Sequence, residues 1–135
     1  TQVGKGDNQA PGLKSVSVLN KTVDTGTEAQ QVRLQVRVLD DMSGVQFFGV
    51  AFQRISSGGK QVGPTINFGC SIQTCLISGT DRDGTYEISG ELPVNAAEGT
   101  YRLVWFSATD KAGNTKTLET AAIKKAKLYV GFTNR

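Results

Sequence analysis

Gly99-Thr-Tyr-Arg-Leu-Val-Trp-Phe-Ser-Ala-Thr-Asp-Lys-Ala-Gly-Asn114 is the stretch on which the fold turns. It is rich in β-branched and aromatic side chains, bounded by Gly99 before and an Asp110-x-x-Gly-Asn114 turn after, as a central strand with a tight exit requires. Just upstream, Tyr86, Ile88, Gly90 and Leu92 alternate with Thr85, Glu87, Ser89 and Glu91. This period of two predicts a strand with one buried face. Leu92-Pro93 to Gly99 then crosses over, with Ala96-Ala97-Glu98 short enough for one helical turn. Tyr101 stands where sandwich folds place a tyrosine whose hydroxyl bonds back to the corner before it; the alternative is an ordinary core tyrosine.

Working outward, the clearest alternation is Val32, Leu34, Val36 and Val38, separated by Arg33, Gln35 and Arg37. Leu13 to Leu19 is a first strand, and Asn20 to Gln30 a polar connection hinged at Gly26. After the Asp40-Asp-Met-Ser-Gly44 turn, Val45 to Ile55 places Phe48, Val50 and Phe52 on one side and Phe47, Gly49 and Ala51 on the other. Being apolar on both faces, this strand is expected at a central or covered position. Ser56 to Gly59 is a hairpin tip, residues 61–79 hold one or two edge strands, and Thr115 to Ile123 a last strand. The organisation expected is a linker over residues 1–12, a domain over 13–123, and a tail over 124–135 that forms a further strand or leads into another module. The fold class is all-β, an immunoglobulin-like β-sandwich of about seven to nine mostly antiparallel strands.

Fifteen Lys and Arg against twelve Asp and Glu leave a formal charge of +3 over 135 residues. The Lys/Arg cluster Lys124, Lys125, Lys127 is small, which argues against nucleic acid as partner. With no histidine, the commonest general base and metal ligand are both missing. The two cysteines, Cys70 and Cys75, lack the further soft ligands that zinc needs, and their spacing is not that of a redox pair. They read as a small disulfide, the alternative being two buried thiols. A disulfide implies a compartment outside the reducing cytosol. No apolar run approaches the ~20 residues of a spanning helix, so membrane insertion is not expected. The polar start, Thr1 to Asp7, suits a mature or excised piece of an exported chain: secreted, periplasmic or at the cell surface.

Six of the seven Asp residues fall on segments that an alternating strand order brings to one pole: Asp7, Asp40, Asp41, Asp81, Asp83 and Asp110. Carboxylates gathered in this way repel unless compensated, and calcium, which takes 6–8 oxygens at about 2.3–2.6 Å, is the natural compensator. Asp7, Asn8, Asp40, Asp41, Asp110 and Asn114 are the candidate metal ligands. The other reading is turn chemistry, in which Asp accepts from the backbone N–H two residues on.

Asn8-Gln-Ala-Pro11, Asp40-Asp-Met-Ser-Gly-Val45 and Ala108-Thr-Asp-Lys-Ala-Gly-Asn114 together resemble bacterial immunoglobulin-like modules, among them fibronectin-III-like and cadherin-like ones, found in tandem on secreted enzymes and surface proteins. The likeness spans roughly residues 7–123. With no histidine, no activated-serine signature and carboxylates on turns, the function expected is a non-catalytic spacer or structural module, with calcium as a stabiliser of the acidic pole and neighbouring domains of its own chain as partners. Cadherins are similar at Asp7-Asn8 through Pro11 and at Ala108-x-Asp110, where that family meets calcium between modules. Their Glu-bearing motif in mid-domain has no counterpart here, which leaves one site at most.

Two other functions compete. Binding of a carbohydrate, or adhesion to another surface protein, needs an exposed aromatic face beside polar groups. Trp105 is the candidate, with Phe106, Phe47 and Tyr129 behind it, provided it projects from the sheet instead of entering the core. An enzyme would need a pair such as Asp40 and Asp110 at acid–base separation. A water-filled turn pole gives no means of raising a carboxylate pKa, so no enzyme is expected.

Overall fold

The computed structural model describes residues 11–40, 44–69, 75–80 and 82–135. Their strands are β1 (Gly12–Val18), β2 (Thr22–Val23), β3 (Gln30–Leu39), β4 (Val45–Ile55), β5 (Gln61–Gly69), β6 (Leu76–Gly79), β7 (Asp83–Leu92), β8 (Gly99–Asp110), β9 (Thr115–Glu119) and β10 (Gly131–Asn134). One short helix, α1 (Thr120–Lys125), lies between the last two strands. The strands form a single curled, mixed sheet in the order β1-β3-β7-β5-β4-β8-β10-β2, with β6 paired to β7 and β9 to β8. The two ends of this path, β1 and β2, are consecutive in the chain. The sheet therefore folds back on itself into an all-β sandwich.

The two halves meet through large side chains. In β3 the four alternating aliphatics, Val32, Leu34, Val36 and Val38, are all fully buried. Facing them from β4 are Phe48, Val50 and Phe52, on one side of that strand as their spacing requires. Phe48 meets Tyr86 at 5.1 Å between ring centroids, and Phe52 meets Phe68 at 5.2 Å and Phe132 at 5.6 Å. Gly90 is what lets the halves close: a Cβ there would come within 2.9 Å of the Phe68 ring. Among the described residues one pair, Gly69 with Ser89, continues the ladder between β5 and β7. Side-chain packing, more than backbone pairing, joins the halves at that corner.

The central strand β8 contains a bulge. Ala51 pairs with Trp105 but Phe52 pairs with Leu103, so Val104 is an extra residue. Before it, Tyr101 and Leu103 point inward; after it, Phe106, Ala108 and Asp110 do. Such an insertion shifts the alternation by one and sends the whole following set to the other face. Trp105, in phase with Tyr101 by simple alternation, is thereby turned outward and is 39% exposed.

The final strand is divided. Thr115 to Ile123 is not one strand: β9 ends at Glu119, and α1 follows. Ala121, Ala122, Lys124 and Lys125 favour a helix, and Ile123 is its one buried residue. Lys127, at φ 62°, ends the excursion, and Leu128 N–H bonds back to the Ile123 carbonyl at 3.0 Å. The chain then re-enters the sheet as β10. Its Gly131–Asn134 pair with Gly99–Arg102 of β8 and, in parallel, Thr133–Asn134 pair with β2. Both β2 and β10 are too short to show a period in the sequence.

A polar clamp closes the pole where β7 crosses to β8. Tyr101 Oη donates to the Ala97 carbonyl at 2.6 Å, the back-bond its position predicts. The turn itself forms at Val94–Asn95, with Asn95 at φ 60°, and not through a helical turn at Ala96–Glu98. Asn134, buried, donates to the carbonyls of Ala96 (3.0 Å) and Ala97 (3.2 Å) and exchanges hydrogen bonds with Thr25. Phe132 stacks on Tyr101 at 5.1 Å with 2° between ring planes. The last strand thus completes the core and supplies donors to the carbonyls of the corner.

Phe132→Ala is expected to cost about 3–5 kcal/mol in denaturant unfolding, while Leu19→Ala on the surface stays within about 0.5 kcal/mol. Equal small losses would show that β10 is not part of the cooperative core. Tyr101→Phe should cost about 1 kcal/mol near neutral pH, where the hydroxyl back-bond is intact. Burial raises the Tyr101 phenol above the ordinary tyrosine range. That contribution is complete below the unfolded tyrosine pKa of about 10 and fades as pH rises through the folded one. The gap between wild type and Tyr101→Phe should therefore narrow in alkaline melts; a gap independent of pH would contradict the assignment.

Candidate functional site

Two places gather chemistry-bearing side chains. The first is the pole formed by the turns after β3, β6 and β8. Asp40 N–H donates to the Arg82 carbonyl at 2.8 Å, and Lys111 N–H to the Gly44 carbonyl at 2.9 Å, so the three turns do meet. Asp40, Asp83 and Asp110 lie there, and Asp24 lies at the opposite pole beside the Thr25–Asn134 clamp. Asp110 is fully buried, and each of its carboxylate oxygens has a local donor. Oδ1 accepts from Ala112 N–H (3.0 Å) and Asn114 N–H (2.8 Å), and Oδ2 from Asn114 Nδ2 (2.9 Å). Asp40 Oδ2 accepts from Gly44 N–H at 2.7 Å. These are turn-forming bonds, in which the carboxylate takes the place of missing backbone acceptors.

Asp83 makes a two-pronged ion pair with Arg37 of β3 at 2.8 and 2.9 Å. The guanidinium's hydrogen bonds hold the Asp83 carboxyl below the usual aspartate range. Both partners are well exposed, so solvent and salt screen the pair. Among the described residues no three His, Cys, Asp or Glu side chains converge as a metal site. Asp7, Asn8, Asp41, Asp81 and Cys70 lie outside the described residues; Cys75 is buried just ahead of β6.

The second place is the outer face of β5, β4, β8 and β9. Across it Asn67, Ala51, Trp105 and Glu119 form one row, and Gly69, Gly49, Ser107 and Thr117 the next. Small residues flank the indole, whose edge comes within 4.0 Å of the position a Cβ would take on Gly49. Phe47, 54% exposed, stands further along the same face. A bulge sets it there: Val45 pairs with Asp110 but Phe47 with Thr109, leaving Gln46 as the extra residue.

Polar groups border the Trp105 surface in an ordered line. Thr120 Oγ1 donates to Gln61 Oε1 (2.7 Å), Gln61 Nε2 to Gln53 Oε1 (2.9 Å), and Gln53 Nε2 to the Gly63 carbonyl (2.6 Å). On β8 and β9, Ser107 and Thr117 hydroxyls lie 3.3 Å apart and those of Thr109 and Thr115 2.9 Å apart. Trp105, Ala51, Gln53, Gln61, Asn67 and Glu119 line an open groove of about 330 Å³. An aromatic face beside amides, hydroxyls and one carboxylate can stack an apolar ring face while bonding hydroxyls at its edge. Sequence reasoning singled out Trp105 but not the glutamine line, which is created by pairing between β4 and β5. The signal for the bulge is the unbroken apolar run Leu103-Val-Trp-Phe106, where two alternating sets collide.

The chain belongs to the family described as "Domain of unknown function (DUF7743)", whose profile matches residues 5–131. No immunoglobulin-like or cadherin family is identified. No curated protein matches the chain. Among solved structures it is similar to one described under "The details of glycolipid glycan hydrolysis by the structural analysis of a family 123 glycoside hydrolase from Clostridium perfringens". That likeness has 12% identity and a TM-score of 0.44, covering 94% of this chain and 27% of that one. The chain thus spans about a quarter of that protein's length.

Proposed function

We propose that this DUF7743 domain is a non-catalytic carbohydrate-binding module of an exported bacterial protein, and that it lays a sugar chain across the outer face of β4 and β8. The observation that carries this reading is the outward Trp105, set against Gly49 and Ala51 and bordered by Gln53, Gln61 and Asn67. A pyranose ring presents axial C–H groups to such an indole, while its equatorial hydroxyls find amide donors and acceptors alongside.

A second, compatible role is that of a spacer between domains. Residue 12 opens β1 opposite Leu39, at the acidic pole, and Asn134 ends β10 opposite Gly99, at the other. A chain that enters and leaves at opposite poles can be joined in series with its outer face free. Export goes with a Cys70–Cys75 disulfide.

Trp105 is the one tryptophan in the chain, so its fluorescence reports the groove alone. Titration with soluble neutral glycans should shift that emission, and Trp105→Ala should weaken binding on the order of tenfold or more. Silence across a glycan array, or binding that survives Trp105→Ala, would overturn the proposal. For the disulfide, thiol labelling of the denatured protein purified from an oxidising compartment should find no free cysteine. Two labelled thiols would remove that argument for export.

A further inference from the structure

Away from Trp105, β8 carries a second arrangement that neither the fold nor the groove explains. Arg102 and Lys124 both pack on the ring of Tyr129, with the guanidinium carbon 5.6 Å and the ammonium nitrogen 4.8 Å from its centroid. The two cations are separated by no more than the sum of those distances, which is comparable with a Debye length of about 8–10 Å. Like charges held this close repel. Among the described residues no carboxylate forms an ion pair with either cation; Arg37 and Asp83 make the ion pair found there.

The site is built, not incidental. Gly131 makes room for the Arg102 stem: a Cβ there would meet Arg102 Cδ at 2.8 Å, as well as clashing with the Tyr101 carbonyl. Arg102 Nη1 also lies 3.5 Å from the Tyr129 carbonyl. Helix α1 delivers Lys124, and the turn through Lys127 brings the Tyr129 ring within reach of both cations. The interrupted last strand thus assembles a pair of positive charges on an aromatic seat, a favourable cation–π geometry.

Two open grooves meet at this pair and share Arg102 and Tyr129. One, of about 450 Å³, runs along β1 past Ser17 to Lys21. The other, of about 490 Å³, runs past Thr100, Ser56 and Ser57 at the β4–β5 hairpin and includes Lys124. Neither is lined by an Asp or a Glu. The result is a trough with cations at its centre and at one arm, bordered by hydroxyls. We propose that it binds an extended acidic polysaccharide, whose sulfate or carboxylate groups sit between Arg102 and Lys124 while its hydroxyls meet the serines. Arg supplies the planar fork that such oxyanions accept, and Lys a mobile point charge. Grooves on both sides of the cations suit a chain better than a single small anion.

The test uses the whole domain and two probes, a heparin octasaccharide for sulfate and an oligogalacturonate for carboxylate, titrated calorimetrically at about 50 mM salt. At least one should bind. Arg102→Gln and Lys124→Gln should each weaken it on the order of tenfold, while Lys116→Gln, an exposed lysine on β9, changes it less than about twofold. Lys124 is exposed on α1, so its variant keeps the test valid should Arg102→Gln not fold. Trp105→Ala should leave this binding intact, which separates the trough from the neutral-glycan groove. Failure of both probes, equal loss in Lys116→Gln, or equally tight binding of duplex DNA would overturn the assignment.

Discussion

The structure depends on one extra residue in its central strand. With Val104 inserted, Leu103 and Phe106 both reach the core. Without it, Trp105 and Ser107 would continue the inward set, and Phe106, Ala108 and Asp110 would face solvent. The bulge is itself held in place: Val104 is buried, its carbonyl lies 3.4 Å from Thr120 Oγ1, and α1 packs on β8. Thr120 also opens α1, directly after β9, and begins the glutamine line. Interruption of the last strand and reorientation of the tryptophan are therefore two sides of one local event.

That event divides the molecule's labour. Inward, the rephased side chains fill a core that Phe132 and the Asn134 clamp complete from the far end of the chain. Outward, β8 presents Arg102 before the bulge and Trp105 after it, each with its own surroundings. Arg102 has a cationic neighbour and an aromatic seat, and Trp105 has small residues, amides and hydroxyls. Strand β5, which among the described residues meets β7 at Gly69 alone, is blunted further back by Gly63, at φ 77°, and Pro64, where its pairing with β4 slips. Pro at a strand edge discourages pairing with a second chain, and leaves the face beside it open.

Much of this was legible in the sequence, for definite reasons. Strict alternation in β3 and β7 fixed which face is buried, because a half-buried strand has no other way to be written. The turns after β3, β6 and β8 meet at one pole and carry Asp40, Asp83 and Asp110 there, and Tyr101 makes its back-bond. What escaped were features set by contacts between distant residues. Periodicity cannot place a bulge inside an apolar run, nor decide between a further strand and a link to another module in a tail whose strand, β10, is four residues long. Asn134 and Thr25 are 109 positions apart, and Gln53, Gln61 and Thr120 become a line only after folding. The helix at Thr120–Lys125 buries a single residue, too few to carry a helical period.

The central claim, that the bulge turns Trp105 to solvent, is tested most directly by quenching its fluorescence with acrylamide in the native and unfolded protein. A partly exposed indole should be quenched in the native state at a substantial fraction of its unfolded rate, with emission red-shifted from that of a buried tryptophan. Blue-shifted emission, and quenching that appears only on unfolding, would put Trp105 in the core and contradict both the phase assigned to β8 and the surface built upon it.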